Sequence, residues 1–224
     1  MNRSINILLF LLFVPTAIFS IVVGFDLPLS FIKTSGENIP YIQEIYYVLA
    51  GLFLIIGARR AIRRWSGLKL VSNTTKYMWN KPMDKKRSGR VSMYLILEGV
   101  VHFVFAFILF GVTPFFWPIA LVLILLSLDH FIFAIVGKAK GLYRIGITKN
   151  AIVFADREIC IVYFSGLRSV SIQQDSLYFD YIKELQLTAS LDGISPSDRT
   201  SFRQTVEGIV DRNVVFFSEG FKNI

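Results

Sequence analysis

Residues 97–105 read LEGVVHFVF and residues 127–133 read SLDHFIF. The chain's only two histidines, His102 and His130, stand in these apolar runs together with Glu98 and Asp129. A carboxylate beside an imidazole is the side-chain pair of proton transfer, and it is equally a ligand set for zinc or iron. Glu98 and His102 are four residues apart, which on a helix places them on one face, one turn from each other. Asp129 and His130 are adjacent and so point about 100° apart, which makes convergence of all four on one centre awkward.

An Asp at the centre of a membrane helix costs about 2.5–3.5 kcal/mol on insertion scales, so such residues face a bundle interior and find partners. Three readings stay open for Glu98, His102, Asp129 and His130. They form a polar clamp that fixes helix register, a protonation or ion site of a small transporter or channel, or a divalent-metal site. Beyond that one metal no cofactor is expected, and no motif names an intramembrane hydrolase.

Four apolar stretches hold these residues: 7–25, 41–58, 91–112 and 115–136. About 20 apolar residues cross a hydrocarbon core, so a bundle of four transmembrane helices is expected over residues 1–137. The second stretch, with Gln43 and Glu44 near its start, carries the weakest pattern. Pro114 and Pro118 close a tight hairpin between the third and fourth helices, since proline suits a first helical turn but not an interior. Phe115, Phe116 and Trp117, with Tyr41, Tyr46 and Tyr47, suit a membrane–water interface. At the helical rise, Glu98 and Asp129 both lie about 10 Å from the same side of the bilayer. An antiparallel hairpin then sets Glu98 level with residues 129–131 and His102 near Ser127. The expected contacts are Glu98 with Asp129 or His130, or His102 with Asp129.

The net charge is +8, and most of it comes from a basic loop, residues 59–90, with eleven Lys and Arg against the single acid Asp84. Basic residues flanking membrane helices stay on the cytoplasmic side. The loop, the N-terminus and residues 138–224 are therefore expected in the cytosol of a multi-pass protein of the cytoplasmic (inner) membrane. The opening MNRSINILLFLLFVPTAIFS also has the look of a signal peptide, but no clear A-x-A site follows. It is read as a retained helix, and cleavage would leave the sidedness of the rest unchanged. Within GARRAIRRWSGLKL (57–70), Arg59, Arg60, Arg63, Arg64 and Trp65 are expected to contact anionic lipid head groups. Retention by charge alone is the simpler account of the same cluster. KPMDKKRSGR (81–90) reads as a mobile, solvated turn. No nucleic acid is expected as a partner, because no recognition module accompanies the basic residues.

From residue 138 onward the charges nearly balance, with eleven Lys and Arg against ten Asp and Glu, and apolar and polar residues alternate. Strands are predicted at 143–148, 151–154, 158–164, 167–172, 176–181 and 184–189, separated by turns at 149–150, 156–157, 165–166 and 174–175. A helix is predicted to follow, with Ser195 as N-cap, Pro196 at N1 and Asp198 at N3. Its apolar face is Phe202, Val206, Ile209 and Val210. Residues 214–217 extend that contact or add a last strand. The fold class is therefore α+β, a four-helix membrane bundle followed by a small antiparallel β domain with a C-terminal helix.

YRIGITKNAIVF, GLRSVSI and SPSDRTSFRQTVEGIV, over residues 141–215, resemble the small bacterial PH-like domains of the YcxB type. Ser197-Asp198 followed by Phe202 and Arg203 stand in for the family's pattern at the start of its terminal helix. The resemblance implies a barrel plugged by that helix and supplies no catalytic residues. Six strands are counted against the seven of a full barrel.

Chemistry is scarce in this part. It holds no histidine, which excludes a Ser-His-Asp arrangement, and no phosphate-binding glycine loop. Asp175, Asp180 and Glu184 read as solvated charges, and Arg168, Lys183 and Arg203 as surface cations. Cys160, the sole cysteine, permits no internal disulfide and reads as a strand residue. The leading expectation is a non-enzymatic membrane protein whose cytosolic domain binds a protein or lipid, or joins copies of the chain. The alternatives are a transporter, channel or membrane-disrupting effector using the intramembrane cluster, and an intramembrane metal-dependent enzyme.

Overall fold

The computed structural model describes residues 2–29, 33–182, 185–211 and 213–224, with side chains from residue 7 onward. The chain divides into two compact units, Met1–Ile62 with Leu95–Ile132, and Arg63–Tyr94 with Phe133–Ile224.

The first unit is helical. It contains α1 (Asn2–Gly24), a two-residue hairpin of β1 (Pro28–Leu29) and β2 (Thr34–Ser35), and most of α2 (Ile42–Ser72), α3 (Lys85–Val112) and α4 (Trp117–Ala139). All four of these helices are long and apolar enough to cross a membrane. The second stretch belongs among them, because α2 continues well past residue 58 before it ends. Pro114 opens a short 3-10 turn and Pro118 falls in the first turn of α4, so the predicted hairpin is present.

Tyr46, Phe53, Phe116, Ile119 and Leu123 form the core of this unit. Tyr46 and Phe116, expected at an interface, are instead fully buried and meet edge to face at 6.1 Å. The Tyr46 hydroxyl donates to Ser20 Oγ at 3.2 Å, and Ser20 donates to the Thr16 carbonyl at 2.9 Å. A buried phenol needs such a partner, and a polar ladder along α1 supplies it. Tyr41 and Tyr47 are exposed, as expected.

Two glycines set the helix spacing that matters below. A side chain at Gly57 would overlap Leu126, so α2 approaches α4 closely there. At Gly99 a side chain would meet the Phe131 ring, and the Ser127 hydroxyl donates to the Gly99 carbonyl at 2.8 Å. These contacts give the α3–α4 hairpin the register that depth counting predicts.

The second unit holds two four-stranded sheets. The first runs β3 (Trp79–Pro82), β4 (Arg144–Ile147), β5 (Ala151–Ala155) and β6 (Ile159–Tyr163), all antiparallel. The second has the order β10-β7-β8-β9, from β7 (Leu167–Gln173), β8 (Ser176–Tyr181), β9 (Gln186–Ser190) and β10 (Phe216–Phe217). β10 pairs with β7 in parallel, so the last strand anticipated at 214–217 exists. The β7–β8 turn has positive φ at both Gln174 (47°) and Asp175 (60°), the backbone of a type I′ hairpin. Two helices complete the unit, α5 (Arg199–Ile209) and α6 (Glu219–Lys222).

β3 corrects three expectations at once. It lies within the basic loop 59–90, so KPMDKKRSGR is not a mobile turn. Lys81 and Pro82 are strand residues, Met83 is buried and Lys85 begins α3. Pro82 is tolerated because β3 is an edge strand. With β3 the antiparallel strands number seven, β3 to β9 among the described residues. The linear boundary at 137/138 also fails, because a strand from between α2 and α3 belongs to the same unit as residues 138–224. Trp79 explains the attachment. Its indole N–H donates to Ser201 Oγ at 3.0 Å and its ring meets Phe202 edge to face at 5.4 Å.

α5 starts at Arg199, later than predicted, after a 3-10 turn over Pro196–Asp198. Neither Ser195 nor Asp198 caps it with a side chain. Ser195 Oγ pairs with Ser197 Oγ at 2.9 Å, and the Asp198 carboxylate faces Lys81 at 3.7 Å. Phe202 and Val206 are fully buried and Val210 nearly so, which is the predicted face.

Candidate functional site

Arg60, Glu98, His102 and His130 meet inside the helical unit. Arg60 Nη2 lies 3.2 Å from Glu98 Oε1 and 3.1 Å from Oε2, one guanidinium nitrogen shared between both oxygens. His130 Nε2 stands 3.2 Å from Glu98 Oε2, within ion-pair distance but off the line of a good hydrogen bond. The His102 and His130 rings stack at 5.1 Å with 27° between their planes. Of the expected contacts, Glu98 with His130 is formed. Asp129 is half-buried.

The protonation pattern follows from the backbone. Each histidine Nδ1 lies 2.6 Å from the carbonyl four residues earlier, Glu98 for His102 and Leu126 for His130. A carbonyl only accepts, so both Nδ1 atoms carry hydrogen and donate. For His130 this leaves Nε2 against a carboxylate. Arg60 supplies a fixed positive charge to the same carboxylate.

The reason α2 can deliver Arg60 is local. Gly57 lets the helix run close to α4, and Arg60 follows three residues later on the same face. Its side chain is 9% exposed. Sequence reading placed Arg60 among head-group contacts and missed it as the partner of Glu98. The signal was present, since Arg60 and Arg64 are four apart and share one helical face, and Arg59 and Arg63 share the next.

Arg64 belongs to the second unit. It is 2% exposed, with its guanidinium carbon 5.2 Å from the Phe133 ring centroid, a cation–π arrangement. Trp65 packs edge to face on that ring at 5.1 Å. Arg60 and Arg64 are therefore corrected from lipid contacts to buried groups, and half-buried Trp65 is spent partly on Phe133. Arg59 stays exposed and Arg63 half-exposed.

Two further basic residues of the loop also find acids. Arg87 lies 2.7 Å from Asp156 and 3.7 Å from Asp192, and Arg90 pairs with Asp192. Part of what reads in sequence as topogenic charge thus ties the start of α3 to turns of the β sheets. Burial pushes the Cys160 thiol up, with Asp156 adding to it, which is the inert behaviour of a strand cysteine. Lys183 and Glu184 lie outside the described residues. Asp180 accepts from Ser169 at 2.6 Å and from Gln186 at 2.7 Å, so it braces the sheet and is not a merely solvated charge.

The residues present do not fit a metal centre. Among the described residues no group of three or more His, Cys, Asp and Glu could hold an ion. The Arg60 guanidinium, a fixed positive charge, also sits on Glu98, the carboxylate such an ion would need. Comparison with protein-family models, with curated proteins and with solved structures returns no match, so geometry alone carries the functional reading.

Proposed function

We propose that the chain is a polytopic protein of the bacterial inner membrane without enzymatic activity. Its β-rich unit is a PH-like binding or oligomerisation module in the cytosol. The observation that supports this reading is β3. It raises the antiparallel strands to the seven of a PH-like barrel and packs beneath the terminal helix α5 through Trp79. Arg60–Glu98–His130 then serves as a register clamp in the membrane. The test uses the full chain reconstituted alone in liposomes, and again in native membranes. A photoreactive residue replaces Tyr163 on the edge strand β6 or Phe216 on the edge strand β10, both well exposed. A discrete adduct is expected, at twice the chain's mass for self-association. No discrete adduct from either position in either membrane would sink the reading.

A second reading, proton-coupled transport, is favoured by one observation. The Nε2 edge of the buried His130 faces the Glu98 carboxylate at 3.2 Å, with the Arg60 guanidinium on the same carboxylate.

A further inference from the structure

In the β-rich unit, α5, β10 and α6 surround a pocket of about 490 Å³, within the roughly 300–1,000 Å³ of small-molecule sites. Arg203 and Glu207 line it from α5, Phe216 and Phe217 from β10, and Lys222 from α6. Its walls are held in place. Phe202 and Val206 anchor α5 in the core, and the Phe217 ring stacks on Phe221 at 5.3 Å. The Ser218 hydroxyl accepts from the Phe221 N–H at 3.3 Å and so caps α6. Phe216 is 67% exposed and leaves an apolar surface open beside the charged groups.

Arg203 reads in sequence as a surface cation, yet its Nε is buried and has no hydrogen-bond partner among the described residues. Its Nη1 donates to the Lys222 carbonyl, its one hydrogen bond among those residues. In a planar guanidinium this leaves the Nε–Nη2 edge, two parallel donors spaced for the two oxygens of a carboxylate. Buried donors are normally satisfied, and one that is not calls for a partner. The lining sets two cations, Arg203 and Lys222, against one acid, Glu207. That single surplus charge suits a monoanion better than a phosphate dianion, and the phenyl rings suit an apolar body.

We propose that this pocket binds a small carboxylic acid with an aromatic or aliphatic body. Its carboxylate accepts two hydrogen bonds from the Nε–Nη2 edge of Arg203, Lys222 adds positive charge, and its body lies against Phe216. This ligand assignment rests on the reading of the unit as a binding module. Cross-linking through Tyr163 tests that reading whether or not the acid binds.

Full-length protein in phosphatidylcholine nanodiscs is mixed with 4-(4-fluorophenyl)butyrate at pH 7, and the ¹⁹F line of the probe is followed. Broadening beyond that with empty nanodiscs is expected. Excess 4-phenylbutyrate should reverse it, and 4-phenylbutyramide, which keeps the shape and lacks the charge, should not. Arg203→Gln should abolish the broadening. Should that variant fail to fold, Phe216→Ala alters only an exposed side chain and should weaken binding about tenfold. No broadening above empty nanodiscs, equal displacement by acid and amide, or undiminished affinity in Phe216→Ala would overturn the proposal.

Discussion

Glu98 is a quarter exposed and holds Arg60 on one side and His130 on the other. Removing its charge leaves a guanidinium almost fully buried without that carboxylate. Breaking a buried pair costs about 3–5 kcal/mol, and the partial exposure of Glu98 lowers the figure to roughly 2–3 kcal/mol. Glu98→Gln should therefore lower the unfolding midpoint in detergent or nanodiscs. The double variant Arg60→Met/Glu98→Leu should recover most of the loss, since apolar replacement of both partners is often neutral. The same pair of variants separates the two functional readings. A clamp tolerates the double variant, whereas a proton carrier loses pH-driven flux in liposomes even where stability returns. Flux that survives the double variant would remove the transport reading.

At the scale of elements, β3 decides what the β unit is. A fragment of residues 138–224 lacks Trp79, whose burial over Phe202 is worth about 3–5 kcal/mol by the usual cost of deleting a core Trp. That is a large share of the about 5–15 kcal/mol that holds a domain together. The fragment alone should melt without a cooperative transition by circular dichroism. Residues 77–84 joined to it by a flexible Gly/Ser linker should restore one. A fragment that melts cooperatively without β3, at the temperature of the joined form, would show the strand to be dispensable. Trp79→Ala in the full chain should weaken the same unit in the same direction.

At the scale of the whole molecule, the surplus of positive charge divides into three populations. Arg60 and Arg64 are buried, Lys81, Arg87 and Arg90 face acids, and Arg59 and Arg63 keep access to their surroundings. Each exposed basic residue near a membrane surface is worth about 1 kcal/mol toward anionic lipid. Arg59→Gln/Arg63→Gln should reduce retention of phosphatidylglycerol in native mass spectrometry by roughly tenfold or more. Arg64→Gln should lower stability with little change in lipid retention. Equal loss of lipid from both variants would mean that Arg64 reaches the head groups after all.

Much of this protein was decided by its sequence alone, wherever the physics is local. Hydropathy places the four long helices, alternation places β4 to β9, and Pro114 with Pro118 closes the α3–α4 hairpin. Counting residues along that hairpin set Glu98 level with residues 129–131, because a short antiparallel connection leaves one register, and the structure brings His130 to it. Other features depend on residues far apart in the chain. Four residues of β3 carry too weak a pattern to register as a strand, and they become one only against Ile145 and Ile147 across the ladder. Arg60 looks like any basic residue at a helix end until Gly57 brings α2 against α4. Tyr46 and Phe116 carry the amphipathic signature of interface aromatics, and only packing buries them. Local periodicity fixes which segments are helix or strand, but which faces meet is set by non-local contacts, and the strand, the clamp and the pocket all arise there.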